Sequence, residues 1–233
     1  MVIPEGMLPD GKARIIGLKP VDKNGNASDS HVGMEWGDDT DTSLTNYGKV
    51  PTTDNAGSTS TGSNSNGYLP SDAFIGAQSF VDGKAKYIGS TPYIPSPYLG
   101  DDKTMNPEYS KELEGNNALS DFNGLSNTQT LVGLGTDYTA ANAAWKYKDS
   151  ANSTVQWYLP AMGELGFIMA RFNEINAAIR SVGGVSVAVD NDYYFWSSTE
   201  YDTYGIYALN PMDGEMYHDD KDIYYYVRVF GIV

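Results

Sequence analysis

Leu165, Ile168, Phe172, Ile175 and Ile179 recur at steps of three and four residues, the strongest regular pattern in the chain. That spacing lines the side chains along one stripe and predicts a helix over 162–180. Pro160 fixes its entrance, Glu164 falls in the first turn, where a carboxylate suits the helix dipole, and Gly183-Gly184 supplies the stop. Capping accounts for Glu164 better than catalysis does. A single apolar stripe must be buried against another layer, so the rest of the chain has to provide that layer.

What it offers is mostly short and extended. Lys12-Ala13-Arg14-Ile15-Ile16-Gly17-Leu18 is a strand closed by Pro20 and by the turn Asp22-Lys23-Asn24-Gly25-Asn26, with Val32-Gly33-Met34-Glu35-Trp36-Gly37 as its expected neighbour. One or two extended pieces are expected over 73–88, and others at 185–189, 194–196, 205–209 and 215–217, with a turn signal at Asp213-Gly214. In the last strand Val227 and Val229 share one face, and Tyr226 and Arg228 the other. TAANAAWKYK, over 139–148, predicts a second, short helix. The Ser/Thr/Asn/Gly-rich tract 38–67 has too little apolar area to order itself and reads as a flexible insertion, while the three prolines of 91–98 impose an irregular path. The coarse order of strands, a long polar insertion, two helices and strands is that of an α+β chain, long enough for one large domain or two small ones.

Charge and composition narrow the function. A net charge of −15 opposes contact with nucleic-acid backbones and anionic lipid, so no nucleic-acid partner is expected. The absence of Cys rules out disulfides, thiolate metal sites and a Cys nucleophile, and two His leave little for zinc. No run approaches the roughly 18 apolar residues of a membrane span, and residues 1–9 lack the pattern of a secretion signal. Neither membrane insertion nor a signal peptide in this chain is expected. No carboxylate pair sits in an apolar setting that would split an acid from a base, so no enzyme activity and no cofactor are expected. Asp38-Asp39, Asp190-Asn191-Asp192 and Asp219-Asp220 could supply oxygen ligands for calcium, but a solvated acidic loop explains them equally simply, and no metal site is assigned.

The segment 193–230, YYFWSSTEYDTYGIYALNPMDGEMYHDDKDIYYYVRVF, is crowded with Tyr and Asp. Tyr gives stiff contact area at little entropic cost, and Asp and His add hydrogen bonds, which is the composition of a binding surface.

Leu119-Ser120-Asp121-Phe122-Asn123-Gly124-Leu125-Ser126-Asn127-Thr128, Ala140-Ala141-Asn142-Ala143-Ala144-Trp145, Trp157-Tyr158-Leu159-Pro160-Ala161-Met162-Gly163-Glu164-Leu165, Trp196-Ser197-Ser198-Thr199-Glu200-Tyr201 and Tyr226-Val227-Arg228 follow one another in a known order. In this the chain resembles the DUF1566-type branch of the C-type lectin-like fold, which includes variable proteins diversified by retroelements in gut bacteria and their phages. The resemblance implies a single α+β domain over 1–233, with two helices packed on mixed or antiparallel sheets and the long polar insertion at 38–67, in which the first and last strands pair and a smaller sheet with its loops presents the ligand face. Trp157, Leu159, Pro160, Trp196, Tyr226 and Arg228 then belong to the scaffold. Ala161 departs from the Ser or Thr common at that position, which removes a capping hydroxyl. The calcium-dependent sugar-binding motifs of lectins are missing, as are the cysteines of the fold's formylglycine-generating enzymes.

In the retroelement-diversified members, adenines of the C-terminal coding segment are randomised. From AAC or AAT this can yield Tyr, Asp, His, Ile, Leu, Asn, Ser or Gly, but not Lys, Glu or Met. Tyr201, Asp202, Tyr204, Ile206, Tyr207, Leu209, Tyr217, His218, Asp219, Asp220, Asp222, Ile223, Tyr224 and Tyr225 pass this test and form the candidate ligand-binding set; Glu200, Met212, Glu215, Met216 and Lys221 must be fixed. The expected function is display of a diversified face to a protein or glycan on a cell surface, from a phage virion or a bacterial surface. The alternative is a structural or assembly subunit, a virion decoration or pilus-tip adhesin, docking a fixed partner.

Overall fold

The computed structural model describes residues 12–37, 121–150, 154–170, 172–187, 194–200, 205–210 and 215–233, with the backbone of short strands at 2–3, 67–68, 80–81 and 84–85. Strands β1 (Val2–Ile3), β2 (Arg14–Ile16), β3 (Gly67–Tyr68), β4 (Phe80–Val81) and β5 (Lys84–Ala85) precede helices α1 (Gly124–Leu134) and α2 (Thr139–Lys146). Then come β6 (Trp157–Tyr158), helices α3 (Met162–Ala170) and α4 (Phe172–Ser181), and strands β7 (Phe195–Glu200), β8 (Gly205–Leu209), β9 (Glu215–Asp220) and β10 (Phe230–Ile232). The described fold is therefore α+β.

Two antiparallel sheets organise it, one in the order β1-β2-β10-β6 and the other β3-β9-β8-β7, with a separate β4–β5 ladder. In the first sheet Ile16 lies opposite Phe230, and Gly231 lies opposite both Ile15 and Trp157. The second core layer comes from the strip Val21, Met34, Trp36, Trp196, Ile206, Val227 and Val229, onto which the alanines of α2 pack. Alanine is the right size there, because Ala140, Ala141, Ala143 and Ala144 are all fully buried and a larger side chain would hold α2 off the strands. Val227 and Val229 do share the core face, and Arg228 points away from them. Its buried guanidinium donates to the carbonyls of Gly17, Val185 and Ser186, and burial pushes its pKa down to about 9.

The start of α3 explains why the motif segments occur together. Ala161, at the N-cap, has no hydroxyl, and the helix amides are met from elsewhere. Glu164 turns back so that Oε2 accepts the Ala161 amide at 2.9 Å, the returning half of a capping box. Met162 donates to Thr199 Oγ1 at 2.8 Å, so β7 supplies the missing hydroxyl, and Gly163 donates to the carbonyl of Asp121. Thr199 in turn donates to Asp121 Oδ2, which also accepts from Asn127, and Asn127 reaches Ser198 Oγ. Thr128 accepts the Leu159 amide. Three stretches that are far apart in sequence, 121–128, 159–164 and 198–199, thus share one buried polar network. Burial raises the Asp121 carboxyl, against four hydrogen bonds that favour its charged form.

Glu164 belongs to a second centre fused to this one. Its Oε1 accepts from Arg14 Nε at 3.1 Å and from the Tyr158 hydroxyl at 2.8 Å, with all three residues buried. Burial pushes its carboxyl up to about 7, opposed chiefly by the Arg14 charge. Gly124 begins α1 directly on this carboxylate: a Cβ there would lie 2.3 Å from Glu164 Oε2 and 2.7 Å from the Ala161 nitrogen. Only hydrogen fits.

Several expectations need correction. Helix α1 has no counterpart in the sequence expectation. The buried face of α1 is Gly124, Asn127, Thr128 and Leu131, so polar residues occupy the positions in which an apolar period would have shown. The helix expected over 162–180 is described as α3 and α4 on either side of residue 171, which lies outside the described residues. Residues 32–37 do not flank β2. The turn at Asp22–Asn26 closes locally through a Val21–Ala27 bridge, after which Met34 pairs with Tyr225. The turn itself is as expected, with Gly25 at φ 86° and Asp22 accepting the Asn24 and Asn26 amides. Of the insertion 38–67, only Gly67 is described, in β3; the proline-rich 91–98 and the acidic groups at 38–39 and 190–192 lie outside the described residues. Among those residues, no helix is long and apolar enough to cross a membrane.

Gly124→Ala should lower unfolding free energy by about 1–3 kcal/mol, whereas Gly133→Ala, with open space around it, should raise it by up to about 1 kcal/mol; chemical denaturation measures both. A carboxyl whose pKa is higher folded than unfolded binds its proton more tightly when folded. The contribution of Glu164 is therefore full below about 4.5 and fades as pH rises through about 7. Wild type should thus lose stability relative to Glu164→Gln between pH 5 and 8, by on the order of 3 kcal/mol, and a flat difference over that range would contradict the assignment.

Candidate functional site

β8 is the middle of three long strands, with β7 on one side and β9 on the other. Ile206 and Ala208 face the core beside Trp196, while Tyr207 and Leu209 alternate to the opposite face, where α3 packs against β7 and β8. Both faces are covered. Ile206, Tyr207 and Leu209 are consequently buried and present no side chain to a ligand, contrary to the sequence reading, which judged them by residue type and could not see that this strand is central.

The register carries the remaining candidates outward along β9. Tyr217 lies opposite Ala208, His218 opposite Tyr207, Asp219 opposite Ile206 and Asp220 opposite Gly205. His218 and Asp219 are half-buried, and Asp220 is exposed. The turn that follows carries Asp222, Ile223 and Tyr224 into solvent, with Ile223 37% and Tyr224 64% exposed. Tyr225 turns back, stacking on Tyr194 with ring centroids 5.1 Å apart, lying 4.6 Å from Trp196, and donating its hydroxyl to Asp219 Oδ2. Tyr201, Asp202 and Tyr204 lie outside the described residues.

The outer surface also recruits residues that sequence reading missed. The Met34–Tyr225 bridge draws 32–35 alongside the turn, and the Tyr224 hydroxyl donates to Glu35 Oε1 at 2.7 Å. That acceptor and its negative charge push the Tyr224 hydroxyl's pKa up. Val32 is 41% exposed, and Gly33 lies close against Tyr224. A Val-Gly-Met-Glu run has no binding signature, so only the pairing reveals it.

Beneath the turn lies a buried ion pair. Lys221 Nζ meets Glu200 Oε1 at 2.6 Å with both side chains fully buried, and the ammonium sits 4.9 Å from the Trp36 ring centroid. These are two of the residues that adenine substitution cannot reach. The Lys221 carbonyl accepts both the Trp36 and Gly37 amides, and the indole N–H groups of Trp36 and Trp196 donate to the carbonyls of Ser197 and Met34. Among the described residues, no group of three or more His, Asp or Glu converges as a metal site; Asp219 and Asp220 face different surroundings, the first bound to Tyr225.

No family model matches the chain, and no curated protein matches it. Among solved structures, a fimbrial protein from Bacteroides ovatus ATCC 8483 is similar at 22% identity with a TM-score of 0.37, over 51% of this chain and 26% of that one. The chain thus spans about a quarter of that protein's length.

Removing one member of the buried pair leaves an uncompensated charge, so Lys221→Met or Glu200→Gln alone should cost about 3–5 kcal/mol. Combined, they should cost less than the sum, and a double-mutant cycle in chemical denaturation would read the coupling.

Proposed function

We propose that this chain is a non-enzymatic ligand-binding module of the C-type lectin-like kind, displayed on a bacterial surface or phage virion and directed at a protein or glycan on a cell surface. The observation that carries the proposal is Tyr224, an aromatic side chain 64% exposed yet tied to Glu35 by its hydroxyl, in a stretch of chain where Asp220, Asp222 and Ile223 are exposed as well. An exposed aromatic held at its polar end loses little entropy on contact, and a patch combining it with apolar neighbours and acidic groups suits recognition rather than chemistry. The strand pairing of β2 with β10 and the second sheet carrying the patch are consistent with that fold.

The second part of the proposal is that the patch is diversified by a retroelement. Its support is the division of residue types: Asp220, Asp222, Ile223 and Tyr224 are exposed and reachable from Asn codons, whereas Glu200 and Lys221 are unreachable and form the ion pair underneath. In this reading the described part of the binding face consists of His218, Asp219, Asp220, Asp222, Ile223, Tyr224 and Tyr225; Tyr201, Asp202, Tyr204 and the Tyr217 side chain lie outside the described residues.

Sequencing the last segment of the gene across many copies from one source population tests this. Variation should concentrate at 219–224 apart from Lys221, with Trp196, Glu200, Lys221 and Arg228 constant and Ile206 and Leu209 confined to apolar residues. Even or absent variation would remove the diversification and favour a fixed partner. Ile223→Ala with Tyr224→Ala should alter stability by no more than about 0.5–1 kcal/mol while weakening binding to any target identified on a glycan array or surface-protein panel by about tenfold or more.

A further inference from the structure

Residues 181–233 contain nine acidic residues and two basic ones, Lys221 and Arg228. Both basic side chains are fully buried, the first against Glu200 and the second on three main-chain carbonyls. The stretch 24–37, which supplies Glu35, contains no Lys or Arg. The two segments that form the face around Tyr224 therefore bring acidic groups and no accessible cation. Taking that turn as the binding face, as proposed above, we propose further that its partner is a protein surface presenting arginine.

The side-chain donors of the turn are already committed within the molecule. The Lys221 ammonium is held by Glu200, the Tyr224 hydroxyl donates to Glu35 Oε1 at 2.7 Å, and the Tyr225 hydroxyl donates to Asp219 Oδ2 at 2.9 Å. A phenol whose proton is engaged can only accept, and an ionised carboxylate has acceptors alone. Asp220 and Asp222 are exposed, and among the described residues neither carboxylate enters a hydrogen bond or an ion pair. An incoming group must bring the donors. Arginine brings five N–H groups in one plane, a charge of the sign the turn attracts, and a flat face that stacks on an aromatic ring. Tyr224, 64% exposed, offers the ring, and Ile223, its neighbour in sequence and 37% exposed, offers apolar area to the arginine stem. A neutral glycan would use the ring and leave the charge unanswered, and a sialylated or sulfated one would be repelled.

Titrating the ¹⁵N-labelled full chain with the peptide acetyl-Arg-Gly-Arg amide, and with the same peptide carrying citrulline in place of arginine, tests the partner class. Citrulline keeps the shape of the side chain and removes its charge. Saturable amide shifts at 33–35 and 219–225 are expected with the arginine peptide, with the citrulline peptide at least about fivefold weaker and added salt weakening only the former. Asp222→Asn and Tyr224→Ala should each weaken the arginine peptide by about twofold to fivefold in chains whose spectra are otherwise unchanged. Asp137→Asn, which neutralises an exposed carboxylate in the turn between α1 and α2, should leave it unaltered. Shifts spread over the acidic surface, an equal response to citrulline, or an equal loss from Asp137→Asn would overturn the proposal. Tyr224-dependent binding of a neutral or sialylated oligosaccharide on a glycan array, without a response to the arginine peptide, would overturn it and leave the turn standing as the binding face. No response of the turn to the peptide or to any arrayed glycan or surface protein would remove both readings.

Discussion

The N-terminus of α3 cannot satisfy its own amides, and the rest of the fold is arranged around meeting that need. A helix start buried without partners would leave several donors desolvated, each at a cost comparable to a lost hydrogen bond. Here Thr199 from β7, the Asp121 carbonyl ahead of α1 and the helix's own Glu164 each take one. Because these partners come from separate parts of the chain, α3 is capped only when β7 and α1 are in place. Local structure and tertiary structure form together.

This also separates what the sequence reveals from what it hides. The ordered motifs were visible as a pattern, and their residues fall in the interior: Asp121, Asn127, Ser198, Thr199, Glu164, Trp196 and Arg228 are all buried. Their reason was not visible, since a buried Asn or Thr looks like a surface residue in a linear string. For the same reason α1 escaped notice, its inward face carrying Asn127 and Thr128. The short helix over 139–148 was legible from its alanines, and the capping role of Glu164 from its place in the first turn, although its contact with Arg14, remote in sequence, was not. On the outer face, Tyr and Ile had the same meaning wherever they occurred. Tyr224 is exposed and Tyr207 fully buried, and the difference lies only in which strand is flanked on both sides.

Both buried ion pairs among the described residues bridge separate elements of the chain. Arg14–Glu164 ties β2 to α3, and Lys221–Glu200 ties the turn after β9 to the end of β7. Apolar replacements of matching volume can be as stable as such pairs, so their presence is weak evidence of strength. What they supply is a fixed alignment: a shifted register would strand a charge, and few alternative packings could accept it.

The turn after β9 is placed by its main chain. The Lys221 carbonyl receives two amides from 36–37, and Met34 and Tyr225 exchange backbone bonds on the other side. Neither contact involves the side chains of Asp222, Ile223 or Tyr224. New residues at those positions would leave these main-chain bonds intact, so the chemistry of the turn's surface can change while the path of the chain beneath it stays the same.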